Sequence, residues 1–307
     1  MTLGMLLAVS YILGQLNGPI EQMISFFHRA QDARISLERL AEIHEMEDEF
    51  QNQSGVTIIP SISKVSVDKL TFSYPGAINR NVLEDISMNL KKDSVTAVVG
   101  VSGSGNTTLL KLLLGFYPPS SGEIRVGDMN LRMVSPDLWR DQCGVVMQDG
   151  YLFSDTIAGN IALGVENVQT DQLLYSARMA CIDDFIDRLP LGYNTRIGQE
   201  GLTLSGGEEQ RILIARAIYK NPAFIFLDEG TSSLDANNER RIMENLELVF
   251  RGKTVMIIAH RLSTVKNADQ IIVMDQGRIV EEGKHNTLIA KKGHYFNLVK
   301  NQLELGN

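Results

Sequence analysis

The chain has 307 residues, of which 44% are hydrophobic and 21% charged, an ordinary composition for a globular protein of about two domains. Its 29 basic and 37 acidic side chains give a formal net charge of −8. This charge disfavours a bulk nucleic-acid binder, which needs a basic face, but it leaves room for a local anion site built from backbone N–H groups. The 2 cysteines, Cys143 and Cys181, are too few for a disulfide framework or a zinc site, and they indicate a reducing compartment.

The N-terminal stretch is uncharged up to Glu21. Residues 1–20 are close to the roughly 20 residues that span a bilayer, and they lack the basic start and cleavage site of a signal peptide. Two interpretations stay open, a membrane helix, which is favoured, and a buried amphipathic helix. Apolar residues continue at helical spacing, so one helix is predicted to run to about Phe50. The polar segment 51–63, with Gly and Pro, is predicted to be a linker.

The body of the chain begins at Lys64 with an alternating pattern typical of a strand, up to Tyr74. Three short apolar runs predict buried strands, at residues 95–99, 223–227 and 255–259. Strands that are apolar on both faces indicate a mostly parallel sheet, whose ligands bind beyond the carboxyl ends of the strands. A hairpin is predicted from residues 271–274 to residues 278–280, and the segment 173–189 is predicted to be helical.

The first chemical motif, GVSGSGNT at residues 100–107, lies between a predicted strand and a predicted helix. It follows the phosphate-loop pattern G-x-x-x-x-G-K-[ST], except that Asn106 stands at the lysine position. The glycines allow backbone N–H groups to surround phosphate oxygens, and the helix start adds a positive partial charge. The Thr107 hydroxyl is a suitable Mg²⁺ ligand. The cation for the β- and γ-phosphates is missing from this motif.

The second motif, FIFLDE, ends a predicted strand with two carboxylates. Beside a phosphate loop, Asp228 is positioned to hold Mg²⁺ through water, and Glu229 to accept a proton from an attacking water molecule. Two acidic residues after a strand are also common in solvated turns.

The third motif, LSGGE at residues 204–208, opens a predicted helix. The apolar residues that follow, Ile212, Ala215, Ala217 and Ile218, are explained by a buried helix face. A buried helix face does not explain the two glycines. A Ser-Gly-Gly turn at a helix start is a second candidate anion site.

Together these motifs make the chain resemble the nucleotide-binding domain of an ATP-binding cassette (ABC) exporter with the tail of its last membrane helix. The motifs occur in the family's order from about Ile62 to the C-terminus, and the segment 141–164 looks most like exporters of bacteriocins and other peptides. The resemblance implies an α/β fold in which a P-loop nucleoside triphosphatase sheet carries an antiparallel β subdomain and a helical subdomain, preceded by a long N-terminal membrane helix. It divides the chain into a transmembrane remnant (1–50), a linker (51–63) and a nucleotide-binding domain (64–307).

The resemblance also implies a site for ATP and Mg²⁺. The implied nucleotide-binding residues are Tyr74, Gly100, Ser102, Gly103, Ser104, Gly105, Asn106, Thr107, Thr108, Ser205, Gly206, Gly207, Glu208 and Asp235. Among them, Tyr74 corresponds to the aromatic residue that stacks on adenine, and Asp235 ends a loop that crosses the dimer interface. The implied metal ligands are Thr107, Gln148 and Asp228. The implied catalytic residues are Glu229, His260 and Gln148.

The sequence departs from the family pattern at several positions. Asn106 replaces the lysine, Glu208 and Glu209 stand where Gln and a basic residue are common, Gly230 replaces an alanine, and Asp93 replaces a glycine. Family exporters carry six membrane helices, so the resemblance implies either a fragment or truncated product, or helices supplied by another chain.

Three functions are consistent with these features. The first is an ATP-driven transport motor at the cytoplasmic side of the cell membrane, working as a homodimer or heterodimer with the membrane-spanning helices of a transporter. The second is a nucleotide-binding module with little turnover, which acts only with an intact transporter partner and is favoured by Asn106. The third is a chromosome or DNA-repair ATPase, which is disfavoured because no coiled-coil segment separates the motifs and the net charge is negative. We therefore expect no nucleic-acid partner.

Overall fold

The computed structural model describes residues 3–44, 64–76, 80–198, 201–228, 236–259 and 265–305. The chain forms two compact units, Met1–Gln53 and Ser54–Asn307. The predicted linker 51–63 lies outside the described residues, and so do Glu229, Gly230, Asp235 and His260.

The first unit contains the helix α1, Leu3–His44, with 42 residues and a length of about 63 Å at 1.5 Å per residue. The predicted long helix is confirmed as far as His44. Its apolar side chains are exposed, as Leu3 at 79% and Tyr11 at 69% illustrate. Within the described part of the chain, α1 is the one helix long and apolar enough to cross a membrane, judged by length and composition alone.

The second unit contains ten strands and nine helices among its described residues. The strands are β1 Lys64–Phe72, β2 Leu83–Lys91, β3 Val95–Gly100, β4 Ser121–Val126, β5 Met129–Asn130, β6 Cys143–Val146, β7 Phe224–Asp228, β8 Thr254–Ile258, β9 Gln270–Asp275 and β10 Arg278–Gly283. The helices are α2 Asn106–Leu113, α3 Pro136–Asp141, α4 Ile157–Ile161, α5 Thr170–Met179, α6 Asp183–Ile186, α7 Gly206–Tyr219, α8 Ala236–Val249, α9 His285–Lys291 and α10 His294–Leu305. Two 3₁₀ turns cover Leu131–Met133 and Gly192–Asn194.

The central sheet has six strands in the order β10-β9-β3-β8-β7-β6. All neighbours are parallel except β9 and β10, which form the predicted antiparallel hairpin. Val98 of β3 and Asp228 of β7 both pair with Ile258 of β8, so Gly100 and Asp228 lie at the same edge of the sheet. The parallel sheet and its three predicted buried strands are confirmed.

A second, antiparallel sheet of four strands has the order β2-β1-β4-β5. Its inward side chains pack with α2 and with one face of the central sheet in a single buried cluster, which includes Val65, Leu83 and Leu109. A separate cluster on the other face is formed with α4, α5, α7 and α8, and it contains Ile212, Ala215, Ala217 and Ile218 as predicted. Both faces of the central sheet are therefore covered, which explains why its strands are apolar throughout.

Neither cysteine forms a disulfide bond. Cys143 is buried at the start of β6, and its thiol contacts the Trp139 carbonyl oxygen at 3.2 Å. Burial raises the pKa of the Cys143 thiol well above its usual value, so this residue is a packing residue.

The segment 173–189, predicted to be helical, contains most of α5 and all of α6, with a break between the two helices. The chain leaves α5 at Met179, takes a left-handed conformation at Cys181 (φ 54°) and resumes as α6. The Asn245 side-chain amide on α8 donates hydrogen bonds to the Met179 carbonyl oxygen and the Cys181 sulfur, both at 3.2 Å. This long-range contact stabilises the break between the two helices. The helical spacing of apolar residues in the sequence does not reveal the break.

We expect Trp139→Ala to destabilise the second unit by about 3–5 kcal/mol. The indole is 1% exposed, packs on Phe224 at a ring distance of 5.0 Å, and donates to the Leu113 carbonyl oxygen at 2.8 Å. Urea denaturation of the full chain, followed by circular dichroism, measures the change. The matched control is Tyr175→Ala, whose side chain is 44% exposed and whose loss should cost at most about 0.5 kcal/mol. Similar midpoints for the two variants would contradict the packing role of Trp139.

Candidate nucleotide site

The loop between β3 and α2 has the backbone geometry that a phosphate loop needs. Gly103 and Gly105 have φ values of 82° and 101°, which residues other than glycine rarely adopt. Gly105 is the N-cap of α2, and among the described residues no side-chain hydrogen bond caps this helix. Backbone N–H groups at the start of α2 therefore lack a side-chain acceptor, and an anion is well placed to serve as one.

A cavity of about 230 Å³ lies over this loop, and its lining brings the phosphate-loop motif together with Gln148. It is lined by Val82, Val101, Ser102, Gly103, Ser104, Gly105, Asn106, Thr107, Thr108 and Gln148. Two buried polar atoms at this loop have no hydrogen-bond partner among the described residues, Ser104 Oγ and Asn106 Oδ1. Orphaned polar atoms in a polar cavity fit a site that binds a polar ligand.

The Thr107 hydroxyl donates a hydrogen bond of 2.8 Å to Asp228 Oδ2 at the end of β7. Gln148, which follows β6, lines the same cavity as Thr107. A hydroxyl, a carboxylate and an amide supply the oxygen ligands that Mg²⁺ prefers, and Mg²⁺ is often bound by one or two protein ligands together with phosphates. No cluster of three His, Cys, Asp or Glu side chains suited to a metal occurs among the described residues. The site therefore fits Mg²⁺ that arrives with a phosphate ligand.

Tyr74 lies next to the phosphate loop. Its hydroxyl is 3.2 Å from Thr108 Oγ1 on α2. Its ring makes edge-to-face contacts with Phe72 and Tyr117, at ring distances of 5.0 and 5.3 Å. The Phe72 and Tyr117 rings hold Tyr74 beside the loop, where sequence reasoning expects an adenine-stacking residue. Tyr117 has no local sequence signal for this role, because its contact with Tyr74 forms only in the folded chain.

The LSGGE turn starts α7, and its ends are joined by a capping box. Ser205 donates from both its backbone N–H (2.8 Å) and its hydroxyl (2.7 Å) to Glu208 Oε2. The Glu208 backbone N–H donates back to Ser205 Oγ at 3.4 Å. Gly206 and Gly207 form the first turn of the helix, and none of residues 204–208 lines the cavity over the phosphate loop.

Arg216 of α7 is a residue that the sequence analysis missed. Its guanidinium donates to the carbonyl oxygen of Asn160 (2.8 Å), to Asn160 Oδ1 (3.0 Å) and to the carbonyl oxygen of Tyr151 (2.8 Å). It also lies over the Phe153 ring, at 5.8 Å from the ring centre. Burial lowers the pKa of Arg216, but an arginine stays charged at neutral pH. The available sequence signal was a charged residue among the apolar residues in the second half of α7. In the structure, the Arg216 side chain joins α7 to the segment that follows Gln148.

We expect Gly105→Ala to weaken binding of a fluorescent ATP analogue at least tenfold more than Gly103→Ala does. Both positions have positive φ and share a strain of about 1–2 kcal/mol for an L-residue. At Gly105 a methyl group would also lie 2.6 Å from the Leu83 side chain and 3.2 Å from the Val82 carbonyl oxygen, whereas Gly103 has open space. Fluorescence titration of the two full-length variants makes the comparison, and equal affinities would contradict it.

Comparison with known proteins agrees with this geometry. Residues 83–232 match the family model of the ABC transporter. The chain is 40% identical over 307 residues to the toxin RTX-III translocation ATP-binding protein of Actinobacillus pleuropneumoniae, covering 99% of this chain and 42% of that protein. It is 38% identical over 292 residues to the alpha-hemolysin translocation ATP-binding protein of Escherichia coli, covering 95% of this chain and 41% of that one.

A solved structure gives the same result. A bacterial Atm1-family ABC exporter with ATP bound superposes with a TM-score of 0.81 and 35% sequence identity, covering 98% of this chain and 53% of that chain. The chain thus spans about half the length, or less, of the proteins it matches. The family match covers both the phosphate loop and the LSGGE turn, and the likeness extends along nearly the whole sequence and fold. The chain therefore carries an ABC transporter domain, and it is similar along nearly its whole length to the ATP-binding proteins of ABC exporters.

Proposed function

We propose that this chain is the ATP-binding and ATP-hydrolysing motor portion of an ABC exporter. The observation that carries the proposal is the meeting of the phosphate loop, Asp228 and Gln148 at one edge of the central sheet. The uncapped phosphate loop, the Thr107–Asp228 hydrogen bond and Gln148 come together around a cavity with orphaned polar atoms. Such an arrangement suits a nucleoside triphosphate with Mg²⁺.

The exported substrate class is argued from the relatives. Two of them are named as translocation ATP-binding proteins for an RTX toxin and for alpha-hemolysin. A peptide or protein substrate agrees with the sequence expectation of a peptide exporter.

In the proposed site, Tyr74 stacks on adenine and residues 100–108 surround the phosphates with backbone N–H groups. Bound Mg²⁺ would neutralise charge on the β- and γ-phosphates, and Thr107, Gln148 and Asp228 would hold it. Glu229 would orient and deprotonate the attacking water molecule, and His260 would contact the γ-phosphate. These two catalytic roles remain predictions from the sequence, since neither residue lies in the described part of the chain.

The proposed organisation assigns residues 1–50 to a membrane helix with its cytoplasmic extension, 51–63 to a linker, and 64–307 to a nucleotide-binding domain on the cytoplasmic side of the cell membrane. The length and exposed apolar surface of α1 support the membrane assignment. The proposed partners are the other membrane-spanning helices of a transporter and a second nucleotide-binding domain. In such a pair, ATP lies between the phosphate loop of one domain and the LSGGE turn of the other, which ends at Glu208. A separate loop, which ends at Asp235, would cross the interface between the two domains.

A second candidate function is a nucleotide-binding module with little hydrolysis. Asn106 favours it, because the amide carries no charge and its side chain is only 7% exposed, with Oδ1 unpaired among the described residues. In phosphoryl transfer the protein mainly positions groups and stabilises charge on the γ-phosphate oxygens. The replacement of a lysine by Asn106 therefore affects the rate of ATP hydrolysis more than it affects folding.

We expect the full chain to hydrolyse ATP very slowly, and Asn106→Lys to raise the rate about 10²–10³-fold, the usual effect of one transition-state stabiliser. Phosphate release by the two proteins in detergent, under the same conditions, measures the rates. Asn106→Gln is the matched control, because it lengthens the side chain without adding charge. Equal rates for the original chain and the Lys variant would show that Asn106 is not the defect, and equal gains for Lys and Gln would exclude charge as the cause.

We expect the Glu229→Gln chain to dimerise with Mg-ATP and to be monomeric without it. None of residues 204–208 lines the cavity of its own domain, so in the proposed pair the LSGGE turn serves a phosphate held by a second copy. Analytical ultracentrifugation in detergent distinguishes the two states. Adding Ser205→Arg places a bulky side chain at the turn and should abolish the dimer. A dimer that forms without ATP, or that survives Ser205→Arg, would contradict head-to-tail pairing.

A further inference from the structure

The start of α7 already holds an anion of its own, the Glu208 carboxylate. Glu208 Oε2 accepts two hydrogen bonds from Ser205, at 2.8 Å from the backbone N–H and at 2.7 Å from the hydroxyl. Hydrogen bonds to an ionised carboxylate are about twice as strong as those between neutral groups. The Ser205 hydroxyl has one proton to donate, so it cannot serve Glu208 and a phosphate oxygen at the same time.

The surrounding charge acts in the same direction. The first turn of α7 carries two acidic residues, Glu208 and Glu209, and no basic residue. Carboxylates near a helix N-terminus are stabilised by its positive end and offset the attraction of that end for another anion. The N-terminus of α7 is therefore a poorer phosphate site than the N-terminus of α2, which no side chain caps.

We propose that Glu208 is an internal competitor for the γ-phosphate, so that closure of the dimer on ATP requires the Ser205 hydroxyl to exchange the Glu208 carboxylate for the partner's nucleotide. This inference rests on the proposed function, since it needs a second copy that presents ATP to the turn. It assigns Glu208 a role opposite to that of a phosphate-binding residue. Because Ser205 is exposed, the exchange is sterically open to a ligand from outside the domain.

The test compares Glu208→Gln with Glu209→Gln in the full chain, each added to an Asn106→Lys, Glu229→Gln background in detergent. Gln at position 208 keeps the shape and the acceptor oxygen of the capping box but removes its charge. Glu209 has the same charge in the same turn and is exposed, and it bonds to Ser205 only through the backbone, from the Glu209 N–H to the Ser205 carbonyl oxygen at 3.0 Å. Analytical ultracentrifugation with Mg-ATP gives the dimer dissociation constant of each protein, and a fluorescent ATP analogue gives the affinity of the monomer.

We expect Glu208→Gln to lower the dissociation constant of the ATP-dependent dimer about tenfold, with the ATP affinity of the monomer unchanged. The dimer contains two Ser205 sites, and removing the competing charge at each should contribute roughly threefold. Glu209→Gln should give a clearly smaller gain. If the background dimerises with ATP but Glu208→Gln brings no gain, or no more than Glu209→Gln, the competitor role is overturned while the motor proposal stands. If the background binds the analogue but never dimerises with ATP, the pairing in the proposed function fails and the inference fails with it.

Discussion

The hydrogen bond between the Thr107 hydroxyl and the Asp228 carboxylate connects the parts of the candidate site. Asp228 is 1% exposed, and a carboxylate withdrawn from water to that degree needs compensating hydrogen bonds. Thr107 provides one of them at 2.8 Å, across a wide separation in sequence. The bond requires α2 and the end of β7 to lie at one edge of the sheet, and the buried clusters on the two faces of the sheet hold them there. Mg²⁺ would take over part of this compensation, because its positive charge satisfies the same carboxylate.

Much of this arrangement could be predicted from the sequence, because the relevant signals are local. Apolar runs ending at Gly100 and Asp228 indicate strands of a parallel sheet, and parallel strands bring their carboxyl ends to one edge. The glycine spacing in residues 100–107 specifies the loop between strand and helix, and the positive φ of Gly103 and Gly105 agrees with it. Asp93, which stands where the family has glycine, adopts the left-handed conformation (φ 54°) that glycine would take without strain.

The remaining features depend on contacts between distant residues, which no local pattern encodes. The break after α5 depends on Asn245 of α8, and the position of the Tyr74 ring depends on Tyr117. Arg216 is the clearest case. Its bonds to Asn160 and to the Tyr151 carbonyl oxygen make α7 and the segment after Gln148 one polar network, and Asn160 is fully buried within it. Breaking such a network leaves buried donors and acceptors unpaired, so the LSGGE helix and the Gln148 segment should move together.

Two departures from the family pattern, Asn106 and Glu208, have a common consequence for closure of the proposed dimer. In the proposed dimer, each nucleotide would meet Asn106 of one copy and Glu208 of the other. Compared with a lysine and a glutamine at these positions, the γ-phosphate loses one positive neighbour and gains one negative neighbour, and both changes oppose closure. The backbone N–H groups of the phosphate loop and the Tyr74 platform are unaffected, because neither depends on a charged side chain. The chain should therefore bind ATP more readily than it closes on ATP.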